Sequence, residues 1–236
     1  MRKNMPSHVR VSGLNQRLRD SAAYHFNMKQ ARALLADDHP LTLEGLRAFL
    51  EPHLDLVGTV TDGRALVEAA LRLKPDLVVL DITMPLLNGI DAAIQIKKSL
   101  PGVKLLFVTM HVSPAYLEAA LNAGGTGYVV KSAAREELLE AIQSVCRGDI
   151  YVSPSLSSEH LERFRDPSRA AAILRLSARE REILQLIAEG RAAKEIAHVL
   201  TISIKTVAFH RENLKRKLGL RSTAELTKYA IEQGLV

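Results

Sequence analysis

Three carboxylates, a hydroxyl and an amine stand at or just past the ends of four short apolar runs. Asp81 follows Leu77-Val78-Val79-Leu80 in LVVLDITMP, Asp37 and Asp38 follow RALLA, Thr109 ends VKLLFVT, and Lys131 ends GYVVK. Gathered at one rim, three carboxylates repel one another and call for a cation. Hard oxygen donors suit Mg²⁺, which keeps several waters and pairs readily with a phosphoryl group. With a lysine to grip phosphoryl oxygens and one Asp as nucleophile, such a set is equipped for phosphoryl transfer. Singly, each residue has an ordinary explanation: an Asp is a turn or cap residue, DDH before Pro40 opens a helix, and a strand-end lysine lies on the surface. Their joint placement is what argues for a site.

Positioning these groups requires strands that end together. Apolar runs at 32–36, 55–60, 76–80, 103–108 and 127–130 alternate with helical patterns near 41–51, 63–73, 88–99, 113–123 and 134–147. Leu66, Ala69, Ala70 and Leu73 follow the i, i+3, i+4, i+7 spacing of an amphipathic helix. Five strand-plus-helix units predict an α/β domain with a doubly wound five-stranded parallel sheet. In the order 2-1-3-4-5, strands one and three are adjacent, and Asp37, Asp38 and Asp81 converge at the topological switch point.

Residues 153–175, rich in Ser, Pro and charge, read as a linker with a partly helical option at Leu161, Phe164 and Leu174. From Leu176 the pattern is purely helical: 178–189, 193–200, 203–217 and 222–233. We therefore expect a leader at 1–29, an α/β domain at 30–150, a linker at 151–175 and a second, all-α domain at 176–236. The leader is basic and without sustained period, expected to be disordered or non-native.

Charge divides along the same lines. The net +6 of the 236-residue chain is uneven: residues 31–150 carry 11 basic and 15 acidic side chains, residues 176–236 carry 11 and 7. A polyanionic partner would meet the second domain. No run approaches the ~18 apolar residues of a membrane span, and the single Cys146 rules out an intrachain disulfide. A soluble chain in the cytoplasm is expected.

The motifs DDH (37–39), DITMP (81–85), NG (88–89), TMH (109–111) and GYVVK (127–131) resemble the receiver domain of two-component response regulators. That resemblance implies that Asp81 is the phosphoacceptor, served by a partner histidine kinase. It implies Mg²⁺ held by Asp38, Asp81 and the Thr83 carbonyl, with Asp37 assisting through water. Lys131 would pair with the phosphoryl group, Thr109 would turn toward it, and Tyr128 would rotate inward into the space vacated. Thr83 and His111 would flank the site and tune the lifetime of the acyl phosphate.

In the second domain, AAKEIAHVL, the turn TIS and the basic IKTVAFHRENLKRKL form a helix-turn-helix pattern. Ile196, Val199, Leu200, Ile202, Val207 and Leu214 would be its core. REREIL, LIAEG, KEIA, KTV, His210 and KLGL resemble the LuxR-type helix-turn-helix, and the whole chain resembles the NarL/FixJ subfamily, with Ala193 standing where an Asn is usual. Thr206, Phe209 and Asn213 are expected near bases, with His210 on or near the same face. Lys194, Lys205, Arg211, Lys215 and Arg221 are expected at phosphates of double-stranded promoter DNA. Ser222 is a plausible cap for the last helix, and Glu225, Lys228 and Tyr229 would lie at a homodimer interface. RNA polymerase is a further possible partner. A haloacid-dehalogenase-like hydrolase would need a second Asp where Thr83 stands, and a ligand-sensing regulator would need an apolar pocket in place of converging acids. An enzyme is not expected, beyond self-phosphorylation from small phosphodonors and autodephosphorylation.

Overall fold

The computed structural model describes residues 30–156, 176–232 and 235. The leader and residues 157–175 of the expected linker, including Leu161, Phe164 and Leu174, lie outside the described residues.

The first domain alternates β1 (Arg32–Ala36), α1 (Pro40–Leu50), β2 (Asp55–Val60), α2 (Gly63–Leu73), β3 (Leu77–Leu80), α3 (Gly89–Ser99), β4 (Lys104–Thr109), α4 (Pro114–Asn122), β5 (Gly127–Val130) and α5 (Arg135–Arg147). All strands pair in parallel, in the order β2-β1-β3-β4-β5. The run 77–80 is buried on both faces because its side chains alternate between two cores. Val78 and Leu80 pack with Leu66, Ile96 and Phe107 under α2, α3 and α4. Leu77 and Val79 pack with Leu50, Leu138 and Ile142 under α1 and α5. Local caps fix the helix starts: the Asp62 carboxylate accepts from the amides of Arg64 and Ala65 (2.9 and 2.8 Å), and the Asn88 side chain accepts from Asp91 N (2.9 Å).

One element was not expected. A sixth strand, β6 (Tyr151–Val152), pairs with β5, and a short 3-10 turn (Pro154–Leu156) follows it. The sheet therefore has six strands, and residues 151–156, expected as linker, join the first domain. Two residues are too few to show periodicity. They are held by backbone bonds from Tyr151 N to Thr126 O (3.1 Å) and Ser153 N to Tyr128 O (2.9 Å), and by burial of Leu156.

The second domain comprises α6 (Ala178–Ala188), α7 (Ala193–Val199), α8 (Ile204–Leu218) and α9 (Thr223–Glu232). Ser177 and Glu180 form a capping box at α6. Ile196, Leu200, Val207 and Leu214 are buried in its core as expected, and Val199 and Ile202 pack partly buried against it. At α7 the cap Ala192 offers no side-chain acceptor, and Glu195 reaches back to the Ala192 amide (2.7 Å). Among the described residues no helix is long and apolar enough to cross a membrane.

Candidate phosphoacceptor site and nucleic-acid interface

Strand ends β1, β3, β4 and β5 bring the expected residues to one rim. Asp37 and Asp81 are almost wholly buried, at 1% and 4% exposure. The Lys131 ammonium lies between them, 2.7 Å from Asp37 Oδ2 and 2.6 Å from Asp81 Oδ2. Asp81 Oδ1 accepts from the amide of Ile82 (2.6 Å). Burial alone would favour a neutral amine at Lys131, but the hydrogen bonds and charges of Asp37 and Asp81 outweigh it and hold the ammonium above its ordinary range.

Ligand atoms of Asp37, Asp38, His39 and Asp81 lie within 4.8 Å of one another. Asp38 Oδ1 is buried without a hydrogen bond; His39 Nδ1 is 2.9 Å away but lacks hydrogen-bond geometry. An orphaned carboxylate oxygen beside two other acids fits a hard divalent cation. His39, largely exposed, was not among the expected ligands, and its position as the residue preceding α1 accounts for it.

Thr109 is fully buried, with its hydroxyl 3.4 Å from the His111 amide. Tyr128 departs from expectation. It is already inside, fully buried, whereas inward rotation was expected to follow a movement of Thr109. Its hydroxyl donates to the His111 carbonyl (2.8 Å), so the ring is buried without stranding a polar group. Thr83 Oγ1 and His111 Nε2 share a hydrogen bond (2.9 Å), and the imidazole stacks on Tyr116 at 4.1 Å. Burial lowers the affinity of His111 for a proton and pushes the Tyr116 phenol up to about 12.

The loop leaving Asp81 is tightly built. A Cβ on Gly89 would lie 1.9 Å from the Asp81 carbonyl oxygen, so only glycine lets α3 begin this close. Gly89 N bonds Ile82 O (2.7 Å), and Gly63 N bonds Pro85 O (3.2 Å).

On α8, Lys205, Phe209 and Asn213 follow the one-face spacing of a helix and point outward, Phe209 at 63% exposure. Arg216, from the basic stretch IKTVAFHRENLKRKL, belongs to the same face and bonds Asn213 Oδ1 (2.7 Å). Thr206 sits at the rim of this face, its hydroxyl engaged with the N-cap Ser203 (2.9 Å). Lys194 and Arg221 are exposed, and His210 is half-buried. Arg211 and Lys215 are half-buried. Arg211 lines a cavity of about 280 Å³ shared with Thr223, Ala224 and Thr227 of α9, off this face. Lys215 pairs with Glu212 at 2.7 Å on the flank of α8.

At α9 the Ser222 hydroxyl accepts from Glu225 N (3.1 Å), and the Glu225 carboxylate accepts from Arg221 N (2.7 Å). Glu225 and Lys228 remain exposed, while Tyr229 turns inward against the domain's own core, its hydroxyl buried without a hydrogen bond. Packing the Tyr229 ring against the core removes apolar surface from water.

The two domains also meet. Gln185 of α6, fully buried, donates to Met84 O (2.7 Å) and accepts from Asn88 N (2.9 Å). Arg181 forks onto Asp91, with Nε 3.0 and 3.1 Å from its two oxygens. Sequence reasoning assigned no role to these residues.

Comparison with known proteins gives a consistent picture. The model of the response regulator receiver domain matches residues 33–143, and that of the luxR family of bacterial regulatory proteins matches 174–230. The chain is 39% identical to the transcriptional regulatory protein MctR of Rhizobium johnstonii over 211 residues, covering 87% of this chain and 95% of MctR. It resembles RcsB of Salmonella enterica serovar Typhimurium, solved bound to promoter P1flhDC with the phosphomimetic BeF3⁻. The TM-score is 0.58 and the identity 31%, over 84% of this chain and 97% of that one. A structure of two RcsB dimers bound to two parallel DNAs gives a TM-score of 0.53 at 31% identity, over 86% and 98%.

Proposed function

Since the chain belongs to the two-component response regulators that join a receiver domain to a LuxR-type DNA-binding domain, we propose that Asp81 is the phosphoacceptor through which its DNA binding is controlled. The observation that carries this reading is the Lys131 ammonium held between Asp37 and Asp81 at 2.7 and 2.6 Å. A carboxylate oxygen of Asp81 attacks the phosphorus of a phosphohistidine on a partner kinase. The O–P bond forms as the N–P bond breaks, and the electron pair returns to the histidine nitrogen. Lys131, kept protonated, is placed to follow a phosphoryl oxygen, and Ile82 N–H holds the other carboxylate oxygen.

Asp38, Asp81 and the Thr83 carbonyl would hold Mg²⁺, with Asp37 behind them; the bound ion would supply charge neutralisation for the transferring group. Small phosphodonors such as acetyl phosphate would serve by the same displacement. In the second domain Lys205, Phe209, Asn213 and Arg216 form the face offered to the major groove. Exposed Lys194 and Arg221 supply phosphate contacts. Dimerisation through the outer face of α9, with Glu225 and Lys228, and contact with RNA polymerase complete the proposal. The hydrolase alternative has no support at Thr83, whose hydroxyl is spent on His111.

Intact-protein mass after incubation with acetyl phosphate and Mg²⁺ tests the site. The expected result is a gain of one phosphoryl group, absent in Asp81→Asn and absent without Mg²⁺. A gain that survives Asp81→Asn would overturn the assignment.

A further inference from the structure

Helix α8 carries five Lys or Arg side chains and a single acid, Glu212. Three residues beyond Phe209 and four before Arg216, Glu212 belongs to the outward face that those two define. Its side chain is 64% exposed. The ordinary uses of a helical acid do not account for it. Glu212 lies in the middle of the helix, past the first turn where the dipole favours a carboxylate. Its pair with Lys215, at 2.7 Å, is an exposed contact three residues apart, which adds little to stability. Arg216, one turn further on, does not neutralise it, because that guanidinium donates to Asn213 Oδ1 (2.7 Å).

A carboxylate on a face turned to DNA is repelled by phosphates and by most base edges. In the major groove guanine offers only acceptors, and thymine an acceptor and a methyl group. Adenine has a donor at N6, but it is flanked by acceptors on both sides. The N4 amino group of cytosine has an acceptor on one side only, so it is the base-edge donor best suited to a carboxylate. Phe209 supplies the apolar counterpart, a ring suited to a thymine methyl. From Phe209 to Glu212 the helix rises about 4.5 Å, a little more than one base-pair step of ~3.4 Å.

We propose that Glu212 determines sequence specificity by accepting a hydrogen bond from the N4 amino group of a cytosine, one or two base pairs from a thymine that Phe209 contacts. The inference rests on the outward face of α8 being the one that enters the major groove. Lys215 reaches Glu212 from the flank of the helix, so its ammonium offsets the carboxylate charge as the helix nears the phosphates. The acid works by exclusion as much as by attraction, since every base that presents acceptors to it is rejected.

The test lets the full chain, treated with acetyl phosphate and Mg²⁺, select from a pool of DNA duplexes with a randomised core, beside Glu212→Ala and Glu212→Gln. The sites enriched by the parent should hold a C·G pair one or two steps from a thymine. Changing that pair should weaken binding about 5-fold or more by fluorescence anisotropy, the lower range for one mismatched pair. Glu212→Ala should keep the rest of the site and lose the preference at this pair. Glu212→Gln should move the preference toward adenine, whose N6 and N7 match an amide, a change that loss of a surface ion pair would not produce. A Glu212→Ala chain that enriches the same sites with the same discrimination, or binds every duplex more tightly with unchanged preferences, overturns the proposal and leaves Glu212 a solvated acid. If the parent enriches no sequence, the assignment of the major-groove face fails, and the role of Glu212 with it.

Discussion

Replacing Lys131 by Met removes the one cation among the described residues that stands between Asp37 and Asp81 while keeping the length of the side chain. Both carboxylates are at least 95% buried, and Lys131 contacts each at under 2.8 Å. Removing one partner of a buried ion pair costs about 3–5 kcal/mol, and the rim position of Lys131, with its side chain 11% exposed, favours the low end. We therefore expect Lys131→Met to destabilise the receiver by about 3 kcal/mol at pH 7.5 without divalent cations. Urea unfolding followed by circular dichroism reads this directly. The loss should shrink on adding Mg²⁺, which replaces the missing charge. In the parent, Lys131 binds its proton more tightly folded than unfolded. Its contribution is thus complete below about 10.5 and fades as the pH rises beyond that value. A variant as stable as the parent at pH 7.5, or one indifferent to Mg²⁺, would refute the electrostatic account of the site.

Other outcomes follow from single contacts. Gly89→Ala drives a methyl group into the Asp81 carbonyl, so a loss of more than about 3 kcal/mol is expected in thermal melts, together with impaired phosphorylation. Burial raises the Cys146 thiol to about 11, so labelling by a disulfide reagent at pH 8 should be slow in the folded chain and fast in denaturant. Lys205→Ala should weaken binding to all DNA sequences alike and reduce the salt slope of log affinity by about 1, measured by fluorescence anisotropy. Phe209→Ala should instead alter the preference among sequences.

The parallel sheet and its acidic rim were legible because each strand is an apolar run that stops at a chemically distinctive residue. Asp81 after LVVL and Lys131 after GYVV needed no tertiary information. The reading helix was equally legible from its turn and charge, although membership of its outward face was not: Arg211 and Arg216 are both basic, and only packing against α9 separates them. Tyr128 was misplaced because its burial depends on a carbonyl 17 residues away, at His111. The docking of α6 was invisible for a related reason. REREIL carries the LuxR-type resemblance but no sign of docking, and the partners of Gln185 are backbone atoms of a loop about 100 residues earlier, which carry no residue-specific signature.

The small β6 has a practical consequence for dissecting the chain. It covers the outer backbone of β5, satisfying Thr126 O, Tyr128 O and, through Ser153 Oγ, Val130 N. A receiver excised at residue 150 would leave that row of donors and acceptors bare along a sheet margin, a template for strand addition by a second copy. Fragments meant to remain monomeric should therefore run through Leu156, and sedimentation of the two lengths side by side would reveal how much two residues of strand do to keep these sheets apart.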